Sequence, residues 1–115
     1  MAATLTKQER LYTKESIDSL LSKGKFCTAG ELKYCFRKES GEDVNRIMVS
    51  VPKKLFRRAV KRNLLKRRIR ESYRTQKDLL SAKGTDVLFI YNTKEVLPSS
   101  VISAKVAEIL RTING

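Results

Sequence analysis

The stretch at residues 57–77, RRAVKRNLLKRRIRESYRTQK, constrains the fold most because its apolar residues recur with the period of an α-helix. At about 100° per residue, Leu65, Ile69 and Tyr73 form one stripe, which Leu80 extends. The pattern therefore predicts a long helix that packs by this stripe on a sheet. The adjoining face carries Asn63, Lys66, Arg67, Arg70, Arg74 and Lys77.

Positive charge is concentrated in this helix and just before it. Residues 53–77 hold 12 of the 25 Lys and Arg residues, and Glu71 is the single acidic residue among them. Like charges at helical-neighbour spacing destabilise an isolated helix, and solvated helix faces usually mix Glu with Lys. A partner that carries many phosphates reverses the sign of this repulsion. The concentration therefore predicts a nucleic-acid-binding face rather than an ordinary solvated one.

Size and composition limit the remaining possibilities. A chain of 115 residues, 41% of them apolar, is expected to form one domain, with residues 1–9 flexible. The net charge of +13 points to nucleic acid or an anionic membrane surface as a partner. No apolar run approaches the roughly 18 residues of a spanning helix, and the N-terminus lacks the apolar region of a signal peptide. We therefore expect a cytoplasmic protein without a membrane partner.

The segment before the basic stretch begins with a predicted helix. Thr13 is a suitable N-cap and Gly24 a suitable C′ residue, which places this helix at residues 14–23. Ile17, Leu20 and Leu21 supply its apolar spacing. A short extra strand at residues 25–28 is also predicted.

The other strands follow from alternating or continuous apolar runs. Residues 32–37 and 46–51 alternate, and the polar turn at residues 40–43 would join them as an antiparallel hairpin. Residues 86–91 form a nearly continuous apolar run, typical of a central strand buried on both faces. A last helix starts near Pro98. The predicted fold is α+β, in the order α-β-β-α-β-α, with a small central sheet packed by helices.

The sequence lacks the side chains of a self-sufficient catalytic site. It contains no His, which is the usual general base near neutral pH, and its 12 carboxylates are scattered. Cys27 and Cys35 lack metal-pair spacing, and we expect both to be small apolar residues in or beside strands, without a disulfide. We predict no catalytic residue, and no cofactor or metal bound by protein side chains alone. The chain is interpreted as a binding module.

Individual side chains suggest roles in RNA recognition, because Arg can fork onto phosphates and stack on bases. Arg62 falls nearer the apolar stripe than the basic face, so we expect it to point into a cleft that holds an RNA strand. Asn63 either contacts a nucleotide or orders the first helical turn. Phe26, Tyr34 and Phe36 either line a single-strand channel or belong to the core.

Three segments resemble the signature of the bacterial ribonuclease P protein component: VSVPKK at residues 49–54, RAVKRN at residues 58–63 and KRRIRESYR at residues 66–74. The family pattern runs through a strand, Ser-x-Lys-Lys, a short link and then Ala-x-x-Arg-Asn-x-x-Lys-Arg-x-x-Arg-Glu. The resemblance covers nearly the whole chain, from Arg10 and Leu11 before the first helix to the final helix.

The resemblance implies the small protein subunit of a ribonucleoprotein endonuclease that removes the 5′ leader from precursor tRNA. The RNA subunit and its bound Mg²⁺ would carry out the hydrolysis. Implied partners are the ribonuclease P RNA subunit and precursor tRNA, and a monomer is expected without RNA. A left-handed β-α-β crossover around the basic helix is also implied, although right-handed is the usual assignment. The residues implied to face the catalytic RNA are Arg62, Asn63, Lys66, Arg67 and Arg70. The predicted RNA-binding residues also include Lys53, Lys54, Arg58, Lys61 and Arg74.

A cleft between the sheet and the first helix is implied to take the single-stranded leader. Two features depart from the family pattern. Leu64 stands where the family's Arg-Asn-Arg has its third residue, which removes one cation. Phe is common in the family at the positions of Ile17 and Leu21, so Phe26 or Phe36 would have to supply stacking. The candidate cleft residues are Ile17, Leu21, Phe26, Lys33, Cys35 and Arg37.

Two competing hypotheses remain open from the sequence. A generic RNA-binding or ribosome-associated protein of similar fold would discriminate little between precursor and mature tRNA. A self-sufficient nuclease would cleave RNA after all RNA had been removed from it. The absence of His and of clustered carboxylates argues against the nuclease.

Overall fold

The computed structural model describes residues 9–11, 13–38, 44–80 and 83–114. Helix α1 (Lys14–Lys23) is followed by strands β1 (Lys25–Ala29), β2 (Leu32–Arg37) and β3 (Arg46–Ser50). Helix α2 (Ala59–Gln76) runs into a 3-10 turn (Lys77–Leu79), and strand β4 (Asp86–Tyr91) and helix α3 (Ser99–Asn114) follow. The predicted α+β order is confirmed, including the short extra strand after α1. The turn predicted at residues 40–43 lies outside the described residues.

The four strands form one mixed sheet in the order β1-β2-β4-β3. β4 is antiparallel to β2 and parallel to β3, so it separates two strands that precede it in the chain. The predicted antiparallel hairpin of β2 and β3 is therefore wrong. Five of the six residues of β4 are buried, and an apolar strand of this kind is stabilised most when it has neighbours on both sides.

Helix α2 connects the parallel neighbours β3 and β4, which makes it the helix of a β-α-β crossover. Its predicted apolar stripe is confirmed, because Leu65, Ile69 and Tyr73 are at most 1% exposed. The left-handed sense of the crossover stays a prediction from the family resemblance.

The two faces of the sheet have different coverings. Leu32, Tyr34 and Phe36 lie on the face that packs against α2 and α3 in the main core. The alternate residues of β2 lie on the opposite face, since successive side chains in a strand alternate. Cys35 on that opposite face packs with Leu20 of α1 in a smaller apolar cluster. We call the sheet surface on this side, together with α1, the α1 face.

A buried ion pair connects α1 to the sheet. The Asp86 side chain is 0% exposed, and its Oδ1 and Oδ2 accept hydrogen bonds from Arg46 Nε at 2.9 Å and Nη2 at 2.8 Å. Arg46 Nη1 also donates to Ser16 Oγ at 3.2 Å. The predicted N-cap of α1 is confirmed, because Thr13 Oγ1 accepts from the Ser16 N–H. The start of α1 is thereby fixed relative to β3 and β4.

Helix α1 ends at Gly24 for a steric reason. The backbone there has an ordinary φ of −77°, so the position does not need the left-handed freedom of glycine. A Cβ on Gly24 would lie 2.6 Å from Cys35 Sγ, and closer still to the Leu20 carbonyl oxygen. Glycine lets α1 pass directly into β1 against the sheet.

We expect Gly24→Ala to lower the free energy of unfolding by about 1–3 kcal/mol, because the added methyl group overpacks this junction. Urea denaturation of both proteins measures the loss. Adding Cys35→Ala removes one of the two obstructing atoms, so the two substitutions should be coupled. Strict additivity would contradict the proposed contact.

Cys27 and Cys35 lie on opposite faces of the sheet. Cys27 pairs in register with Tyr34, whereas Cys35 pairs with Phe26, and residues paired in register share a face. Both thiols are free. A disulfide between them would require the strands to be rearranged.

Candidate nucleic-acid interface

Seven cations of α2 and of the segment before it, together with Asn63, are the candidate residues of this interface. No carboxylate in the described ranges forms an ion pair with any of them. All are exposed except Lys66, which is half-buried. The protein leaves these charges to counterions or to a polyanion. We define the α2 cationic face as Lys53, Lys54, Arg58, Lys61, Asn63, Lys66, Arg67 and Arg70.

The start of α2 adds to the positive potential of this face. Arg58 is the N-cap residue, makes no side-chain capping hydrogen bond, and is followed by a first turn without an acidic residue. The first N–H groups of a helix lack intrahelical acceptors and form the positive end of its dipole. This end of α2 therefore favours anions together with its side chains.

The Arg62 side chain is half-buried and bonds in part to its own chain, and the cleft that would hold an RNA strand beside it stays a prediction. Arg62 Nη1 donates to the backbone oxygens of Phe56 and Arg57, both at 2.8 Å. The physical reason is that Phe56 is 7% exposed, and buried carbonyl groups of an irregular segment need donors. Arg62 therefore holds the linker that leads into α2.

Two further cations of α2 and its 3-10 extension have carboxylate partners. Arg74 Nη2 lies 2.7 Å from Glu71 Oε2, and this hydrogen bond lowers the pKa of the Glu71 carboxyl. Lys77 Nζ lies 3.0 Å from Glu9 Oε2, which connects the N-terminal segment to the end of α2. Arg74, predicted to contact RNA, and Lys77 are thus partly neutralised within the protein. Arg68 is also occupied, since its Nη1 donates to the Leu97 carbonyl oxygen at 2.6 Å.

Among the candidates on the α1 face, Cys35 is inaccessible, contrary to the prediction. It is 0% exposed, its thiol lies 3.6 Å from the Leu20 carbonyl oxygen, and burial raises the thiol pKa. The cause is that α1 packs directly over this part of β2.

The other candidates on the α1 face remain accessible. Phe26 and Leu21 are 56% and 43% exposed, Lys33 is exposed, and Ile17 and Arg37 are half-buried. Register places further half-buried residues of β3 and β4 on the same face, and no sequence pattern indicates them because β3 pairs with β4 rather than with β2. They are Met48, Ser50 and Ile90.

A pocket of about 350 Å³ lies where the α1 face meets the α2 cationic face. Ile17 is the only predicted leader-cleft residue in its lining, and Arg70 is the only predicted RNA-contacting residue. The remaining lining residues come from the N-terminal segment and β3, and they lie too far apart in sequence to be recognised as one site. The pocket is lined by Arg10, Leu11, Ile17, Ile47, Met48, Val49 and Arg70.

Neither a metal-binding cluster nor a membrane-spanning helix occurs within the part of the chain that the structure describes. No group of three or more His, Cys, Asp and Glu residues is placed to hold a metal ion. No described helix has the length and apolar character needed to cross a membrane.

A basic α+β fold with an exposed cationic helix in a β-α-β crossover defines a class of small proteins suited to bind a polyanion. Residues 5–114 match the family model described as Ribonuclease P. The chain belongs to the family of ribonuclease P protein components.

Individual relatives agree with this assignment. The ribonuclease P protein component of Porphyromonas gingivalis is 44% identical over 79 residues, covering 67% of this chain and 58% of that protein. The component from Thermotoga maritima is 30% identical over the full length of both proteins. A solved structure of the RNase P protein from Thermotoga maritima superposes with a TM-score of 0.80 at 28% identity, covering 93% of this chain and 99% of that chain. The P. gingivalis match thus spans less than two thirds of that relative's length.

Proposed function

We propose that this chain is the protein subunit of ribonuclease P and assists removal of the 5′ leader from precursor tRNA. The observation that carries the proposal is the α2 cationic face, whose charges have no carboxylate partner among the described residues. This face binds the catalytic RNA subunit. Family membership supports an RNA partner of this kind.

The leader of precursor tRNA lies on the α1 face in this proposal. An unpaired strand exposes its bases, which stack on aromatic or apolar side chains, and its phosphates, which attract cations. Phe26 and Leu21 are exposed apolar residues on this face, and Lys33 is an exposed cation beside them. Phe26 would supply the stacking platform that Ile17 and Leu21 do not.

Hydrolysis itself is assigned to the RNA subunit and its Mg²⁺. The chain has no His, and the described residues hold no cluster of possible metal ligands. What the protein contributes is positive charge, which offsets repulsion between closely packed phosphates. The Mg²⁺ concentration required by the RNA should therefore fall when the protein is bound.

Reconstitution with the cognate RNA subunit tests the proposal. At low Mg²⁺ concentration, the protein should stimulate leader cleavage, and Arg67→Ala should reduce the stimulation about tenfold through loss of a charge-assisted contact. Arg111→Ala is the matched control, because Arg111 is an exposed cation on α3. Absence of stimulation by the unmodified protein would refute the proposal.

Two outcomes of the same assay would assign the competing functions. Equal affinity of the reconstituted particle for precursor and mature tRNA would indicate a general RNA-binding protein. Cleavage by the protein after complete removal of RNA would indicate a nuclease with its own catalytic groups.

A further inference from the structure

We propose that Arg62 is a positioning residue, which fixes the linker before α2 so that the linker cations meet the phosphates of the RNA subunit as a preformed set. The linker comprises residues 52–58, directly before the first residue of α2. The inference rests on the proposed function, because it assumes that the α2 cationic face binds the RNA subunit. It adds how an irregular segment keeps its charges in place for that RNA.

The first half of the linker is a turn that presents two lysines. The Leu55 N–H donates to the Pro52 oxygen at 3.1 Å, which makes Lys53 and Lys54 the two central residues of the turn. Both lysines are exposed, so their side chains contribute little to the core. The place of this turn on the protein is therefore set by contacts elsewhere in the linker.

Phe56 anchors the linker to the sheet. Its side chain is 7% exposed, and its ring packs edge-on against the Tyr91 ring of β4, with 5.7 Å between the ring centroids. Aromatic pairs in this arrangement are favourable beyond the area they bury. The ring fixes one point of the linker, and the backbone around that point needs hydrogen-bond donors of its own.

Arg62 supplies those donors. Its Nη1 donates to the Phe56 and Arg57 oxygens, which uses both hydrogens of that nitrogen. No backbone N–H of the described residues donates to either oxygen. The backbone N–H of Arg62 donates to the Arg58 oxygen at 3.3 Å, within the start of α2. The Arg62 side chain thus ties the anchor of the linker to the helix that carries the other cations.

Direct contact of Arg62 with a phosphate is the alternative role, and two observations disfavour it as the main one. The Arg62 side chain is half-buried, whereas its neighbours Lys61 and Asn63 are exposed. Its Nη1 hydrogens are already donated within the chain, which leaves fewer for a phosphate. A segment that is held in its bound arrangement before binding loses less conformational freedom on association, so Arg62 strengthens binding without touching the RNA.

A double-mutant cycle on binding to the RNA subunit tests the proposal. One arm is Arg62→Met, which removes the guanidinium and keeps the apolar stem, and the other replaces Lys53 and Lys54 together with alanine. The lysine substitutions should weaken binding about tenfold in the parent chain but only about twofold beside Arg62→Met, because a displaced turn has little left to lose. Equal factors in the two backgrounds would overturn the proposal, since they indicate a contact independent of the linker.

Arg68→Met is the matched control for the cycle. Arg68 is also a half-buried arginine of α2 that donates to a backbone oxygen, but its acceptor is Leu97, just before α3. The substitution removes the same charge and the same type of bond away from the linker, so its effect should simply multiply with that of the lysine substitutions. Coupling as strong as that of Arg62→Met would contradict a specific role of Arg62.

Amide hydrogen exchange of the free protein supplies a measurement that does not depend on RNA. The Leu55 amide closes the turn on Pro52, and in Arg62→Met it should exchange at least about tenfold faster than in the parent. The amides of Leu65 and Ile69, inside α2, should keep their protection. Unchanged exchange at Leu55 would contradict the proposal, and so would an equal loss of protection at all three amides, which would make Arg62 a residue of general stability.

These outcomes can be told apart from failure of the proposed function. Equal factors in the cycle, with leader cleavage stimulated by the parent protein, would remove the role of Arg62 and leave the subunit assignment intact. Faster exchange at Leu55 in Arg62→Met, without stimulation of cleavage by the parent protein, would refute the subunit assignment while the hold of Arg62 on the linker stands.

Discussion

Replacing Lys66, Arg67 and Arg70 together with alanine is expected to weaken binding to the RNA subunit by about 100- to 1,000-fold at moderate salt. A solvent-exposed hydrogen bond contributes roughly 1–1.5 kcal/mol net, so three lost contacts remove about 3–4 kcal/mol, and a factor of ten corresponds to about 1.4 kcal/mol. Lys66 and Arg67 are adjacent in α2 and Arg70 follows about one turn later, and none of the three has an ion-pair partner among the described residues. Filter binding or fluorescence anisotropy at several salt concentrations measures the loss.

The salt dependence separates lost phosphate contacts from misfolding. Each phosphate contact contributes roughly −0.7 to −0.9 to the slope of log affinity against log salt, so the triple variant should lose about two to three units of slope. The matched control replaces the exposed cations Lys83, Lys94 and Arg111, which removes the same charge from outside α2. Equal losses of affinity and slope in both variants would show that net charge, rather than the α2 cationic face, determines binding.

Asp86→Ala is expected to lower the free energy of unfolding by about 3–5 kcal/mol, because it leaves the Arg46 guanidinium largely buried without its main partner. The Arg46 side chain is only 16% exposed, and two of its nitrogens donate hydrogen bonds to Asp86. Urea or thermal denaturation measures the effect. Since Arg46 also holds Ser16, the start of α1 should loosen at the same time.

Glu71→Ala is the control for this prediction. Glu71 also pairs with an arginine by two hydrogen-bonded nitrogens, but it is exposed, and exposed pairs contribute little to stability. We expect its unfolding midpoint to stay close to that of the parent protein. Equal destabilisation by the two substitutions would contradict the importance of burial at Asp86.

Local patterns were sufficient to predict the elements but not all of their pairings. The period of α2 and the apolar run of β4 appear directly in the sequence, and both are confirmed. The prediction that β2 and β3 form a hairpin is wrong. A turn signal between two strands concerns residues that are close in the chain, and it does not determine which strands become neighbours in the sheet. The apolar run of β4 already required a strand on each side, and β3 takes one of these places.

The candidate site was predictable where it depends on one helix and not where it depends on tertiary contacts. On the basic face that the phase of α2 predicts, Arg67 and Arg70 are exposed, and Lys66, Arg74 and Lys77 are half-buried. Arg62 turns back to its own linker, and Cys35 is covered by Leu20, because of packing that no helical or strand period encodes. The pocket also escaped prediction, since the bridge from Arg10 to Ile47 brings together residues distant in sequence.

Directed hydroxyl-radical probing of the reconstituted particle with precursor tRNA tests most directly whether the protein uses two faces for two RNAs. An iron chelate would be attached to Arg67→Cys on α2 or to Leu21→Cys on α1, in a Cys27→Ala background, while the buried Cys35 stays protected. The α2 probe should cut the RNA subunit, and the α1 probe should cut the 5′ leader. Two results would contradict the assignment of one RNA to each face. In the first, the α2 probe cuts the leader and the α1 probe cuts the RNA subunit. In the second, both probes give the same cleavage pattern.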